Sequence, residues 1–171
     1  MMRLALAKAL ERIAFFLIGC GGVIVLIQAF WITYGVFVRY VINDPDGMVT
    51  EATALLLVPV AFCGLAYALI SDAYPKVTLL IDNLSPRVRG IIDRVNLVIM
   101  TTVGLFFSLA ASEAAIRAYS SGAASEILLW PRFYFWIPVA ISLYAFSLTA
   151  IAKILIYQAP TEAFPLEKEI L

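Results

Sequence analysis

The sequence contains no histidine among its 171 residues, and this absence excludes several kinds of site. Haem held by two imidazoles requires histidine, and so do the zinc, copper and non-haem iron centres that imidazole ligates. Histidine is also the commonest general acid or base near neutral pH. We therefore predict no catalytic residue, no cofactor and no metal site, and we do not expect an enzyme.

Cysteine is scarce as well, because the chain has only two, Cys20 and Cys63. Both lie within apolar runs, whereas membrane thiol oxidoreductases need reactive cysteine pairs near the aqueous face. We interpret the two thiols as small apolar core residues.

Charged residues make up only 14% of the chain, against roughly 25% in an average soluble domain. Their formal charges sum to zero, which indicates no nucleic-acid partner. Hydrophobic residues make up 63% and the mean hydropathy is +0.96, so polar side chains cannot cover a soluble surface. These values exclude a soluble enzyme, a secreted disulfide scaffold and a disordered chain, and they predict an integral membrane protein.

Four stretches of the sequence carry no charge, and they are 18 to 26 residues long. A helix needs about 20 residues to cross the roughly 30 Å of hydrocarbon in a bilayer. We therefore predict a single all-α integral membrane domain over residues 1–171, with four transmembrane helices. The predicted spans are 13–38, 52–71, 95–116 and 133–152.

Two segments are predicted to lie at the membrane surface. The N-terminal stretch Met1–Glu11 and the loop 72–94 both mix apolar with basic residues, which is typical of amphipathic interfacial helices. Within the loop, Ser85 followed by Pro86 predicts the start of a helix. We expect one or two short helices in this loop.

Basic residues are distributed unevenly between the two sides of the predicted spans. Nine of the twelve lie in the N-terminal segment, in the loop 72–94 or close to the C-terminus. The remaining three are Arg39, Arg117 and Arg132. The positive-inside rule then places both termini and the loop 72–94 in the cytoplasm. Residues 39–51 and 113–132 are predicted to face outward.

Small residues in the spans predict close contacts between helices. Two sets have the four-residue spacing that lets helix backbones approach each other. They are Gly64 with Ala68, and Gly104 with Ser108 and Ser112. One set could serve contacts within this chain and the other a partner subunit, and the spacing does not assign them.

Arg39 and Glu51 flank the first outward loop. A carboxylate is stabilised at a helix N-terminus, so Glu51 is consistent with a capping charge at the membrane boundary. The alternative is an ion pair, either with Arg39 or with a partner subunit.

Four motifs follow one another along the chain. Arg39-Tyr40 ends the first span, and a loop containing Asn43 and Pro45 leads to Glu51. The second span contains Phe62-Cys63-Gly64-Leu65-Ala66-Tyr67-Ala68, and the loop after it contains Leu84-Ser85-Pro86-Arg87-Val88-Arg89. The fourth span is preceded by Leu128-Leu129-Trp130-Pro131-Arg132-Phe133 and opens with Ile137-Pro138. Together with the length and the four spans, this order over residues 10–157 resembles the small membrane subunit, of DctQ type, of tripartite ATP-independent periplasmic (TRAP) transporters.

Two positions depart from the pattern of that family. Met48 stands where the family often has a tryptophan, three residues before the acidic residue. Tyr74-Pro75-Lys76-Val77-Thr78 stands where the family often has His-(Ile/Val)-x-Val-Asp. No role of that second motif is therefore transferred to this chain.

The resemblance implies a division of labour in a transporter of the bacterial inner membrane. A large membrane subunit of DctM type would carry the substrate and sodium sites. A periplasmic substrate-binding protein would deliver a small solute, commonly a carboxylate. The small subunit would scaffold the large one among the membrane lipids. Its outward charges would lie where the binding protein docks, and the candidates are Asp44, Asp46, Glu126 and Arg132.

Two hypotheses from other classes are weighed against this one. A self-sufficient small transporter, such as a four-helix multidrug exporter, needs a carboxylate within the membrane, and the four uncharged stretches contain none. An accessory subunit of an unrelated membrane complex is harder to separate by sequence. The partner that co-purifies with the protein in mild detergent distinguishes these two hypotheses from the TRAP subunit.

Overall fold

The computed structural model describes residues 2–44, 47–74 and 85–156. The helices in these ranges are α1 (Met2–Phe37), α2 (Gly47–Cys63), α3 (Leu65–Ile70), α4 (Pro86–Ser120) and α5 (Phe133–Ile156), with a π-helical segment at Val38–Ile42. Four helical segments are long and apolar enough to cross a membrane: Leu6–Ile42, Gly47–Ile70, Arg87–Ser120 and Phe133–Leu155. The predicted all-α fold with four transmembrane helices is confirmed.

The first helix is much longer than a bilayer is thick. At 1.5 Å per residue, 36 residues of α1 extend over roughly 54 Å, against about 30 Å of hydrocarbon. The π-helical segment continues α1 and ends where Asn43 takes a left-handed backbone with φ of 63°. Asparagine tolerates this conformation better than most residues, so the chain can turn there toward α2.

The second span consists of two helices in succession. Pro59 lies inside α2 without ending it, although proline lacks the N–H that would bond to the carbonyl four residues earlier. The interruption falls instead at Gly64, between α2 and α3.

The start of α4 lies where the sequence predicted a helix start. Ser85 has an extended backbone with φ −61° and ψ 148°, and Pro86 is the first helical residue, but the Ser85 side chain makes no capping hydrogen bond. Residues 86–94 are the first turns of α4 itself. This corrects the expectation of a separate surface helix there, because no residue from Arg87 onward breaks the helix before Ser120. The rest of that predicted surface segment, 75–84, lies outside the described residues.

The last helix is the centre of the fold. α5 packs along α4 and also contacts α1, α2 and α3. Its inner face is made of small and polar residues that are almost completely buried, namely Val139, Ser142, Ser147, Thr149 and Ala150. The hydroxyls of Ser147 and Thr149 donate to carbonyls four residues earlier, at 2.8 and 2.7 Å. The buried hydroxyls of Ser147 and Thr149 are therefore satisfied within the helix, whereas the Ser142 hydroxyl donates to Cys63 Sγ of α2 at 3.8 Å.

Two helices keep a large apolar face exposed. Among the described helices α4 makes its extensive contacts with α5, whereas α1, α2 and α5 all contact one another. The outer faces of α1 and α4 consequently expose large apolar side chains, among them Phe30 at 77% and Phe106 at 67% exposure. Such faces are suited to lipid or to apolar helices of another subunit.

Candidate functional site: the outer loop and the helix contacts

Glu51 joins the start of α2 to the loop between α4 and α5. Its Oε1 accepts a hydrogen bond from the backbone N–H of Glu126 at 2.6 Å, and its Oε2 accepts one from Leu128 at 2.7 Å. The N–H of Ile127 lies 3.1 Å from Oε1 and 3.0 Å from Oε2. Three consecutive N–H groups therefore surround one carboxylate, which is an arrangement typical of anion binding by backbone.

This contact is a further role for Glu51, beside the capping and ion-pair roles considered from the sequence. The carboxylate bonds to a loop 75 to 77 residues further along the chain. The guanidinium of Arg39 lies instead 5.8 Å from the centre of the Tyr40 ring, within the distance of a cation–π contact. In the structure of this subunit, Glu51 holds a loop in place.

The loop that Glu51 holds is further closed by its own backbone. Ser125 N–H donates to the carbonyl of Trp130 at 2.9 Å, and Trp130 N–H donates to Ser125 Oγ at 3.0 Å. Arg132 N–H donates to the carbonyl of Ala123 at 3.0 Å. Ser125 is buried at 4% exposure. The segment 123–132 is thus a defined loop whose ends meet.

The charged residues predicted to dock a soluble partner lie at this side of the molecule. Asp44 follows the π-helical segment and is exposed, and Glu126 and Arg132 are exposed on the loop that Glu51 holds. Asp46 lies outside the described residues. A further ion pair, between Arg117 and Glu113, is exposed near the end of α4. Asp44, Glu126 and Arg132 are therefore all accessible to solvent in the described part of the chain.

The set of small residues on α4 serves a contact inside this chain. A Cβ added at Gly104 would lie 2.5 Å from Ser147 Oγ and 2.9 Å from Phe146 Cδ1, both on α5. Ser108 is fully buried, and its hydroxyl donates to the carbonyl of Gly104 at 2.7 Å. Ser112 Oγ donates to the carbonyl of Ser108 at 2.8 Å and lies 3.2 Å from Tyr144 Oη. These three residues let α4 lie close to α5.

The other set of small residues, Gly64 with Ala68 at the junction of α2 and α3, has a different environment. A Cβ added at Gly64 would meet no atom within 4 Å. Ala68, one turn later, is only half-buried, and its N–H donates to the carbonyl of Gly64 at 2.9 Å. Gly64 therefore mediates no close helix contact within the described part of the chain.

A third set of contacts was missed by the sequence analysis. Cβ atoms added at Gly21 and Gly35 of α1 would lie 3.0 Å from Cys63 Cβ and 2.6 Å from Val49 Cγ1. Midway between them, Gln28 is buried, and its Nε2 donates to the carbonyl of Thr53 at 3.0 Å. Gly21, Gln28 and Gly35 are seven residues apart, which places them on one helix face. That spacing was a detectable signal for the contact of α1 with α2.

A second polar contact joins the opposite end of the molecule. Lys153, in the last turn of α5, donates from Nζ to the carbonyl of Leu69 at 2.6 Å. The same nitrogen lies 3.1 Å from Asp72 Oδ1, and the lysine side chain is only 13% exposed. Lys153 thus connects α5 to the end of α3.

Comparison with known proteins places the chain in a family. The model of the DctQ component of tripartite ATP-independent periplasmic transporters matches residues 28–156, about three-quarters of the chain. No curated protein and no solved structure gives a significant match. The matched range contains Glu51, the loop that it holds and the contact of α4 with α5. The chain belongs to the DctQ family and is the small, multi-pass membrane subunit of a tripartite ATP-independent periplasmic transporter.

Proposed function

We propose that this subunit is a scaffold for a large membrane subunit of DctM type. The large subunit moves a small, carboxylate-bearing solute into the cell with sodium, and a periplasmic substrate-binding protein delivers that solute. The small subunit holds the stationary part of its partner and does not itself bind the solute. The observation that carries the proposal is the exposure of large apolar side chains along α1 and α4, which leaves faces of both helices available to another subunit.

The polar side chains within the spans support a structural role. Gln28 bonds to the backbone of α2, and the hydroxyls of Ser108 and Thr149 bond to their own helices. The stretches 13–38 and 95–112 contain no charged residue at all. Transport pathways through lipid usually contain intramembrane charges, so the coupling ions and the solute are assigned to the partner.

The apolar faces support binding within the membrane. Lipid offers no hydrophobic driving force for association of helices, so close packing of complementary surfaces must supply it. The exposed rings of Phe15, Phe16 and Phe30 on α1 form one such surface. A second surface lies at the junction of α2 and α3. There Gly64 has no side chain, so the backbone of a neighbouring helix has room to approach.

The distribution of basic residues supports an orientation in the inner membrane. Nine of the twelve lie in the N-terminal segment, in 72–94 or near the C-terminus, so both termini face the cytoplasm. The loop 123–132 then faces the periplasm. Reporter fusions after residue 171 and within 121–125 test this orientation, and a periplasmic C-terminus contradicts it.

Co-purification and reconstitution test the scaffold role. The tagged small subunit, extracted in mild detergent, is expected to bring the large subunit with it. Proteoliposomes that contain both membrane subunits and receive the periplasmic protein are expected to take up solute along a sodium gradient, and proteoliposomes without the small subunit are not. Uptake by the small subunit alone would show a self-sufficient transporter, and capture of a different membrane complex would show an unrelated accessory role.

A further inference from the structure

Leu129 has an unusual backbone and an unusual exposure. Its φ is 54°, in the left-handed region, which side chains with a Cβ rarely adopt. Its side chain is nevertheless 70% exposed, so packing against the described residues does not compensate for the strained conformation. A large apolar side chain is therefore presented outward at a backbone position where glycine or asparagine is usual.

The surrounding loop fixes Leu129 in this position. The carboxylate of Glu51 binds the three N–H groups that directly precede it, those of residues 126–128. On its other side, Trp130 is bonded through both its N–H and its carbonyl to Ser125. The Trp130 ring also stacks on Phe135, with centroids 6.2 Å apart and planes 20° from parallel. Leu129 is thus presented by a loop that is ordered before any partner arrives, which reduces the entropic cost of binding.

Leu129 belongs to a small apolar surface with charges beside it. We name this surface the outer knob and define it as Ile127, Leu129 and Trp130, which are 51%, 70% and 39% exposed. Glu126 and Arg132 flank it in the chain and are exposed. An apolar centre that contains tryptophan and has charged residues at its margin is typical of protein–protein contacts.

The position of the outer knob favours a soluble partner. The loop lies between the ends of two candidate spans, at Ser120 and Phe133, and outside both. On the proposed orientation it faces the periplasm, where the family's transporters have a soluble component. We propose that the outer knob is a contact point for the periplasmic binding protein, with Leu129 as the central residue. This rests on the proposed function, which supplies the partner.

Substitution of Leu129 by two different residues tests the proposal. Asparagine tolerates the left-handed backbone, so Leu129→Asn removes the apolar contact while keeping the loop in shape. Leu129→Met keeps an apolar side chain of similar volume. The complex of small and large subunits is assembled in nanodiscs for each variant, and its affinity for the purified periplasmic protein is measured. We expect Leu129→Asn to lower the affinity about tenfold, the effect of one central contact residue, and Leu129→Met to change it less than about twofold.

The outcomes separate this inference from the scaffold role. If the wild-type complex assembles and binds the periplasmic protein, but Leu129→Asn binds equally well, the outer knob is not the contact and the scaffold role stands. If Leu129→Asn loses the large subunit instead, the knob belongs to the membrane interface and the proposal is overturned. Quenching of a fluorophore at Leu129→Cys by spin-labelled phospholipid in the same nanodiscs would place the knob in lipid and also overturn it. If the wild-type subunit captures no large subunit, the proposed function itself fails.

Discussion

Gly104 of α4 lies against Ser147 of α5 so closely that a Cβ at position 104 would stand 2.5 Å from the serine Oγ. Both residues are buried, and α5 is the helix on which the whole fold is built. The small side chains at this crossing therefore determine how near α4 can lie to the rest of the subunit.

Gly104→Leu is expected to destabilise the isolated subunit. The leucine must displace Phe146 and Ser147, and overpacking of this kind costs about 1–3 kcal/mol. Thermal unfolding in detergent measures the loss. Gly22→Leu is the matched control, because a Cβ there meets no atom within 4 Å. Equal stability of the two variants would contradict the close crossing of α4 and α5.

Gly64→Leu is expected to act on assembly instead. A Cβ at Gly64 meets no atom within 4 Å, so the isolated subunit should unfold at nearly the wild-type temperature. If the gap at Gly64 receives a helix of the large subunit, the leucine blocks it, and co-purification of the large subunit falls. Full association of this variant with the large subunit would indicate that the interface lies on the bulky faces of α1 or α4 instead.

Gln28→Leu is expected to weaken the pairing of α1 with α2. The substitution removes the hydrogen bond to the carbonyl of Thr53, and polar contacts between transmembrane helices contribute about 0.6–1.7 kcal/mol. Thr33→Val is the control, because the Thr33 hydroxyl bonds only to its own helix, at Ala29, and is exposed. Unfolding in detergent should show a larger loss of stability for Gln28→Leu than for Thr33→Val. An equal loss of stability for both variants would show that the Gln28 contact contributes little.

Glu51→Gln is expected to loosen the outer loop without unfolding the helices. The amide has one acceptor oxygen where the carboxylate has two, and its NH₂ group faces N–H donors that it cannot satisfy. Hydrogen exchange at the amides of residues 126–128 should accelerate, while exchange in α4 and α5 stays slow. Glu113→Gln is the control, because that carboxylate pairs only with Arg117 on the surface. Unchanged exchange at 126–128 would mean that the backbone of the loop suffices to hold it.

Charge reversal on the outer surface is expected to change the salt dependence of binding. Exposed charges at the margin of an interface mainly alter the association rate. For Asp44→Lys combined with Glu126→Lys, the association rate of the periplasmic protein should depend differently on ionic strength, while its dissociation rate changes little. Rates measured at low and high salt in nanodiscs check this. If the variant and the wild type show the same salt dependence of the association rate, the docking surface lies on the large subunit alone.

The spans were predictable from the sequence, whereas the assignment of their faces was not. Charged residues mark the ends of the apolar stretches, so the four helices could be predicted directly. The pair Ser85-Pro86 likewise predicted the helix start at Pro86. Gly64 and Gly104, however, have similar apolar surroundings along the chain, although one faces open space and the other a crowded crossing. Lipid is as apolar as a packed helix face, so hydrophobic periodicity carries no information about which face is inside.

The outer loop was not predictable for a different reason. Glu51 is bound by backbone N–H groups, and every residue except proline has one of these. No side-chain pattern at residues 126–128 therefore marks the partner of the carboxylate. The left-handed backbone of Leu129 leaves no trace in the sequence either, since leucine is not one of the residues that favour this conformation.

The seven-residue spacing of Gly21, Gln28 and Gly35 bears on how the protein is made. A seven-residue repeat favours a left-handed coil of two helices, and here it pairs α1 with α2, which precede α4 and α5 in the chain. The two can thus close into a helical hairpin in the bilayer before α4 and α5 are synthesised. Since α5 packs on each of the other described helices, we expect the docking of α5 on this hairpin and its pairing with α4 to come last.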